Sequence, residues 1–211
     1  MIKSICKKAY NSIPHSSIFM FHHVYKNPFV ERSGCKLSFK SFDQLINQNS
    51  KIVSLEAATI MKKGNCVALT FDDGLLDLYE NVFPYLGEKH IPFTAFIVTD
   101  FLDKPGYITK KQLVEMAKNP LVTIGSHGIS HKLLTTMPRK EILQESITSQ
   151  AILQDIIGKE VDYFAYSHGQ INYNDIDLFK TYRFCYIASG GFNNFISGRN
   201  KYLIPRINII D

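Results

Sequence analysis

The chain has no tryptophan, no C-x-x-C cysteine pair, no stripe of clustered lysine and arginine, and no phosphate-cradling loop of G-x-x-x-x-G-K type. Each absence narrows the field. Without tryptophan, no role can rest on an indole. The four cysteines (Cys6, Cys35, Cys66, Cys185) stand singly, and the N-terminal MIKSICKKAYNSIPHSS has neither a continuous apolar core nor a small-residue cleavage site. A two-disulfide framework would need an oxidising compartment, so free thiols in a cytoplasmic protein are the expectation. No window approaches the roughly 18 apolar residues of a membrane span. A basic segment over 1–13 leaves room for at most peripheral membrane contact, at the inner face. The net charge of +5 is mild and scattered, which argues against a nucleic-acid partner. Repeats, low-complexity tracts and long linkers are absent.

What remains is an ordinary globular composition: 211 residues, 45% apolar and 20% charged, with fifteen Phe and eleven Tyr to build a core. That length suits one domain, divided here into an N-terminal basic segment (1–16) and a single domain (17–211). Short β-rich runs alternate with helical patterns. The runs are SIFMF (17–21), CVALTF (66–71), PFTAFIV (92–98), LVTIG (121–125), DYFAY (162–166), FCYIA (184–188) and the tail YLIPRINII.

Helices are expected at about 38–48, capped by Ser38 or Ser41, and at about 77–89, with a kink at Pro84. A third starts at Thr109, with Gln112 completing a capping box. The longest, from Pro138 to Ile157, carries the stripe Leu143, Ile147, Ala151 and stops at Gly158. The last lies at about 173–182. Alternating strands and helices, with strands apolar on both faces, imply a mostly parallel sheet covered by helices, either open or closed into a barrel. Function is then expected at the carboxyl ends of the strands.

Two features sit at such ends. The run CVALTF terminates in Asp72-Asp73-Gly74, two adjacent carboxylates that repel each other and resist desolvation unless something cationic is present. The run LVTIG exits into Ser126-His127-Gly128-Ile129-Ser130-His131, whose two histidines, four apart, can converge on one ion. Together they suggest a His-His-Asp metal site with an open position. That donor set suits Zn²⁺ and tolerates other divalent ions. One aspartate binds the metal and the other acts as general base, in an order that spacing leaves open.

The pair Thr70-Phe71-Asp72-Asp73-Gly74 and Ser126-His127-x-x-x-His131 resembles the first two motifs of the polysaccharide deacetylases, a carbohydrate esterase family that includes the rhizobial chitooligosaccharide deacetylase. The likeness runs from about Ile18 to the C-terminus. It implies a distorted (β/α) barrel, which need not close, of about seven mostly parallel strands. It also implies a divalent metal (Zn²⁺, with Co²⁺, Mn²⁺ or Ni²⁺ as alternatives) and removal of acetyl groups from N-acetylated sugars. By the same resemblance Asp72 is the base, and Asp73, His127 and His131 are the metal ligands.

The family's third motif, Arg-x-Pro-aromatic-Gly, corresponds to Ala165-Tyr166-Ser167-His168-Gly169. Here the Arg, the Pro and the aromatic are all replaced, so Tyr166, His168 and Gly169 are expected in substrate and oxyanion contact mainly through the His168 N–H. The later Asp-Trp and Leu-x-x-His motifs are missing. Some members carry the acid histidine near the N-terminus instead, and Phe21-His22-His23 matches that form. Strand alternation lets only one of the two histidines face the site, and His22 is preferred.

With the motif arginine absent, Arg206 in the tail is expected to orient Asp72. The substrate expected is an N-acetylated sugar, as an oligosaccharide or a nucleotide- or lipid-linked precursor. The competing readings are a glycan-binding member with little or no activity and a deacylase of a non-sugar amide.

Overall fold

The computed structural model describes residues 16–26, 35–61, 65–188 and 200–211; the basic N-terminal segment, Ser16 apart, lies outside them. Eight parallel strands form one sheet in the order β10-β1-β4-β5-β6-β7-β8-β9. They are β1 (Ser16–Phe21), β4 (Cys66–Phe71), β5 (Phe93–Ile97), β6 (Val122–Ser126), β7 (Tyr163–Ala165), β8 (Phe184–Ile187), β9 (Ile204–Pro205) and β10 (Ile207–Asn208). A side ribbon pairs β2 (His23–Tyr25) with β3 (Lys36–Ser38). Every apolar run marked in the sequence becomes a strand, but the tail divides. Ile204 and Pro205 pair with Tyr186 and Ile187 of β8, whereas Ile207 and Asn208 pair with Phe19 and Met20 of β1. Five residues thus bridge the two edges of the sheet, which curls into a nearly closed barrel with Arg206 at the seam.

Strand alternation sorts the side chains into two cores. Ile18, Ala68, Phe96, Ala165, Tyr186 and Ile204 pack together inside the barrel. Phe19, Phe21, Phe71, Phe164 and Tyr166 face outward beneath the helices, and each fully buried aromatic there contributes on the order of 2–3 kcal/mol. Phe21 stacks on Phe71 at 5.1 Å between ring centroids, with Phe42 edge-on to both.

The helices are α1 (Phe39–Gln48), α2 (Leu55–Ile60), α3 (Phe83–Glu88), α4 (Lys110–Lys118) and α5 (Arg139–Ile157). Ser38 caps α1, and Thr109 with Gln112 forms the expected capping box on α4. Around Pro84 the chain does not simply kink. A wide π-type turn, Leu78–Val82, precedes α3, with the Phe83 N–H reaching back to the Leu78 carbonyl. Proline then falls in the first turn of α3, where its missing N–H costs least. The last expected helix is a shorter 3₁₀ segment, Tyr173–Phe179.

Helix α5 has the expected ends but a different register. Leu143, Ile147 and Ala151 face solvent, while Ile142, Glu145, Ser146, Ser149 and Leu153 are buried. Among the described residues Cys35, Cys66 and Cys185 are free thiols, and no helix is long and apolar enough to cross a membrane.

Candidate active site

The chain leaves β4 through Asp72 and turns at Asp73 and Gly74, whose φ angles are 72° and 74°. A left-handed aspartate directly after a buried strand is costly. Here it throws the two neighbouring carboxylates in different directions. Asp72 continues the inward parity of Ala68 and Thr70 and is buried, 2% exposed. Arg206, fully buried at the seam, meets it in a two-pronged pair: Nη1 to Oδ1 at 2.7 Å and Nη2 to Oδ2 at 2.7 Å, with Nη1 also donating to Thr70 Oγ1. Phe96 lies under the guanidinium, 5.1 Å from its ring centroid. Burial favours the neutral acid, but Arg206, with His127, outweighs it and holds Asp72 well below the usual carboxylate range.

Asp73 turns toward the histidines. Its Oδ1 lies 3.6 Å from His127 Nε2 and 3.3 Å from His131 Nε2, and ligand atoms of all three residues lie within 4.8 Å of one another. The His127 Nδ1–H donates to the Ala165 carbonyl at 2.7 Å, which fixes the tautomer and leaves the Nε2 lone pair facing Asp73. Burial pushes the His127 imidazole down to about 3 and lowers His131 as well, with His168 adding to the latter, so both rings are neutral donors at neutral pH.

Burial pushes the Asp73 carboxyl up to about 6; His22 pulls against this and the Asp72 charge adds to it. Its Oδ1 has no hydrogen-bond partner among the described residues although it is buried. An orphaned carboxylate oxygen facing two neutral, pre-oriented imidazoles fits a divalent cation better than any arrangement the protein atoms alone supply.

The other expected residues fall out differently. His22 follows the inward parity of Ile18 and Met20, its field acts on both Asp72 and Asp73, and its buried Nδ1 has no partner among the described residues. His23 turns away, donating from Nδ1 to Asp77 at 2.9 Å. His168, at φ 57°, lies beside the triad, its ring 4.7 Å from that of His131 and its Nε2–H donating to the His131 carbonyl.

Two expectations in the third motif are corrected. Tyr166 is not at the site: alternation from Ala165 turns it outward, where it packs against Phe164 and Phe179 and donates its hydroxyl to the Tyr202 carbonyl. Gly169 does not offer its amide to a ligand, because that N–H donates to the Tyr166 carbonyl at 2.8 Å. Its part is to make the turn. At φ 69° a Cβ would sit 2.2 Å from that of Ala188, which only glycine avoids.

Sequence reasoning missed three residues around the triad. Ser167 donates to the His127 carbonyl, Phe101 packs its ring 5.8 Å from that of His131, and Glu145 binds the loop between the two histidines.

The family model of polysaccharide deacetylase matches residues 60–186, more than half of the chain, and the chain belongs to that family. It is similar to the poly-β-1,6-N-acetyl-D-glucosamine N-deacetylase of Staphylococcus aureus (strain MSSA476), 29% identical over 185 residues, covering 79% of this chain and 64% of the relative. The protein YxkH of Bacillus subtilis is 27% identical over 107 residues, covering 51% of this chain and 38% of its own. The chain therefore spans less than two thirds of the length of either relative. Among solved structures, IcaB from Ammonifex degensii superposes with a TM-score of 0.82 at 20% identity, covering 93% of this chain and 92% of that one. The Streptococcus pyogenes deacetylase PplD, in complex with acetate, superposes with a TM-score of 0.81 at 20% identity, covering 94% of each chain. At that identity the structural likeness speaks to the fold.

Proposed function

We propose that the chain is a metal-dependent hydrolase that removes an N-acetyl group from an amino sugar of a glycan, releasing acetate and a free amine. One observation carries this reading. Asp72 Oδ2 lies only 3.7 Å from His127 Nε2, yet both Asp72 oxygens are held by Arg206. Of two adjacent carboxylates, one joins the histidines and the other is fixed beside them, ionised and outside the triad. A pure binder has no use for that second group.

Asp73, His127 and His131 would hold the ion, for which zinc suits the donors best and Co²⁺, Mn²⁺ and Ni²⁺ are alternatives. When bound, such an ion supplies Lewis-acid polarisation of water and of the acetyl carbonyl. Asp72 takes up the proton that the attacking water releases, and Arg206 keeps that carboxylate aimed and charged at every working pH. The His168 backbone N–H is assigned to the developing oxyanion. His22 delivers a proton to the departing amine, so that a neutral amino sugar leaves rather than an amide anion.

The substrate we favour is an N-acetylglucosamine glycan, on the strength of the activity in the name of the S. aureus relative. Nucleotide- or lipid-linked N-acetyl sugars are the narrower alternatives. A cytoplasmic placement is part of the same proposal, and fractionation of cells producing the protein tests it.

The catalytic assignment is tested by Asp72→Asn, assayed for acetate release from N-acetylglucosamine oligomers and for zinc content. The expected outcome is loss of at least a hundredfold in turnover with close to one zinc retained. Wild-type turnover in the variant would refute the role of Asp72.

A further inference from the structure

We infer that Glu145, a buried carboxylate on α5 remote in sequence from both motifs, is the positioning residue that fixes the loop carrying His127 and His131 in its ion-binding shape. The inference rests on the triad being a metal site.

The loop Gly128–Ile129–Ser130 has the sequence of a flexible turn, and His131 at its end sits at φ 58°. A free chain would populate that geometry rarely. Something must over-determine it, and every N–H of the loop has an identifiable partner. The Ile129 N–H donates to Glu145 Oε2 at 2.5 Å and the Ser130 N–H to the same oxygen at 3.0 Å. The Ser130 hydroxyl donates to Oε1 at 2.5 Å. The Gly128 N–H reaches the same helix by relay: it donates to Ser126 Oγ, which bonds Ser149 Oγ, which donates to the Glu145 backbone carbonyl. The carbonyls of Gly128 and Ile129 accept from the Thr99 and Asp100 N–H groups. Three consecutive amides thus end on one turn of α5, and the carbonyls of the first two on the segment after β5.

Two further observations single out the carboxylate. Glu145 is 6% exposed, and among the described residues no lysine or arginine forms an ion pair with it. Its charge is met by loop donors, so the hydrogen bonds are of the charge-assisted, stronger kind. The backbone also makes room for it. A Cβ on Gly128 would lie 2.8 Å from Glu145 Oε2, so glycine at that position lets the carboxylate reach the next two amides. A buried acid whose neighbours are shaped to receive it has a dedicated task, and the groups it receives lie between two ion-binding histidines.

Glutamine at 145 keeps the shape but removes the charge: its oxygen can serve the two N–H groups and its NH₂ can donate to the Ser130 hydroxyl, so the loop bonds survive only as neutral, weaker ones. Partners of this kind behind metal ligands typically carry ten- to hundredfold of metal affinity. The experiment measures the zinc affinity of the full chain by competition with a chromophoric chelator, together with the visible spectrum of the Co²⁺-loaded protein. Wild type, Glu145→Gln and Ser130→Ala are compared, with thermal unfolding of the metal-free forms as the folding control.

The expected result for Glu145→Gln is zinc affinity at least tenfold weaker and a changed Co²⁺ spectrum. Ser130→Ala, which removes one of the three donors and leaves the carboxylate, is expected to fold with a melting point lowered only by the one lost hydrogen bond, and to lose severalfold in zinc affinity. Should Glu145→Gln fail to fold, Ser130→Ala carries the test, and wild-type affinity there overturns the inference. Wild-type affinity and spectrum in folded Glu145→Gln overturn it equally. Wild-type protein that binds neither zinc nor cobalt would overturn the proposed function itself, and this inference with it.

Discussion

At the scale of single residues, two adjacent aspartates do different work because their surroundings differ. Asp72 is clamped by Arg206 and stays ionised; Asp73 faces two neutral imidazoles and, without an ion, is pushed up to about 6. Two consequences can be measured. Replacing Arg206 by lysine keeps a charge but forfeits the two-pronged geometry, so turnover is expected to fall at least tenfold with zinc content unchanged; replacing it by methionine strands a buried carboxylate and should cost about 3–5 kcal/mol in a urea melt.

The second consequence concerns pH. Below the unfolded value of about 3.9 Asp73 is protonated in both states; between there and about 6 the folded, metal-free protein holds a proton that the unfolded chain has lost. Its contribution to stability is therefore largest at low pH and disappears as pH rises through 6. In chelator, the stability difference between Asp73→Asn and wild type is expected to shift in the variant's favour by up to roughly 3 kcal/mol from pH 4 to pH 7. A difference independent of pH would contradict the burial of an uncompensated carboxylate.

At the scale of elements, α5 shows how pattern can mislead by one position. Leu143, Ile147 and Ala151 are apolar and four apart, which reads as a core stripe, yet they face solvent. The buried face carries Glu145, Ser146 and Ser149, whose polar atoms are consumed by the 127–131 loop, the Leu178 carbonyl and α5's own backbone. A periodicity rule counts such residues as outward because it has no knowledge of their partners. The registers separate in a melt: Ile142→Ala is expected to cost about 2–5 kcal/mol and Leu143→Ala less than about 1 kcal/mol, and the reverse order would restore the sequence-based register. The tail misled in a related way. YLIPRINII reads as one strand, but Arg206 at its centre is drawn inward by Asp72, and the residues on either side pair with opposite edges of the sheet. Where local pattern and partner agreed, as at the Ser38 cap or the Thr109–Gln112 box, boundaries were legible to within a residue or two.

At the scale of the whole molecule, the barrel brings together what the chain keeps far apart. Asp72 and Arg206 are separated by 134 positions and the His127 Nδ1 partner by 38; closure through the tail makes the first pair neighbours, and the pairing of β6 with β7 the second. The clustering of Asp72, Asp73, His127 and His131 was readable because strand ends carry function in parallel α/β folds and because the two motifs are family-specific. Tyr166 and Gly169 were misassigned because a motif preserves backbone shape even where a side chain has turned into the core. Glu145 could be found only once the helix was docked. All of this bears on the proposal that Asp73, His127 and His131 hold one divalent ion. The most direct test is acetate release from N-acetylglucosamine oligomers by chelator-stripped protein during a zinc titration. A divalent-ion site of this kind predicts no release without metal and a rise that saturates near one equivalent. Release indifferent to added metal, or none at any loading of zinc, cobalt, manganese or nickel, would contradict it.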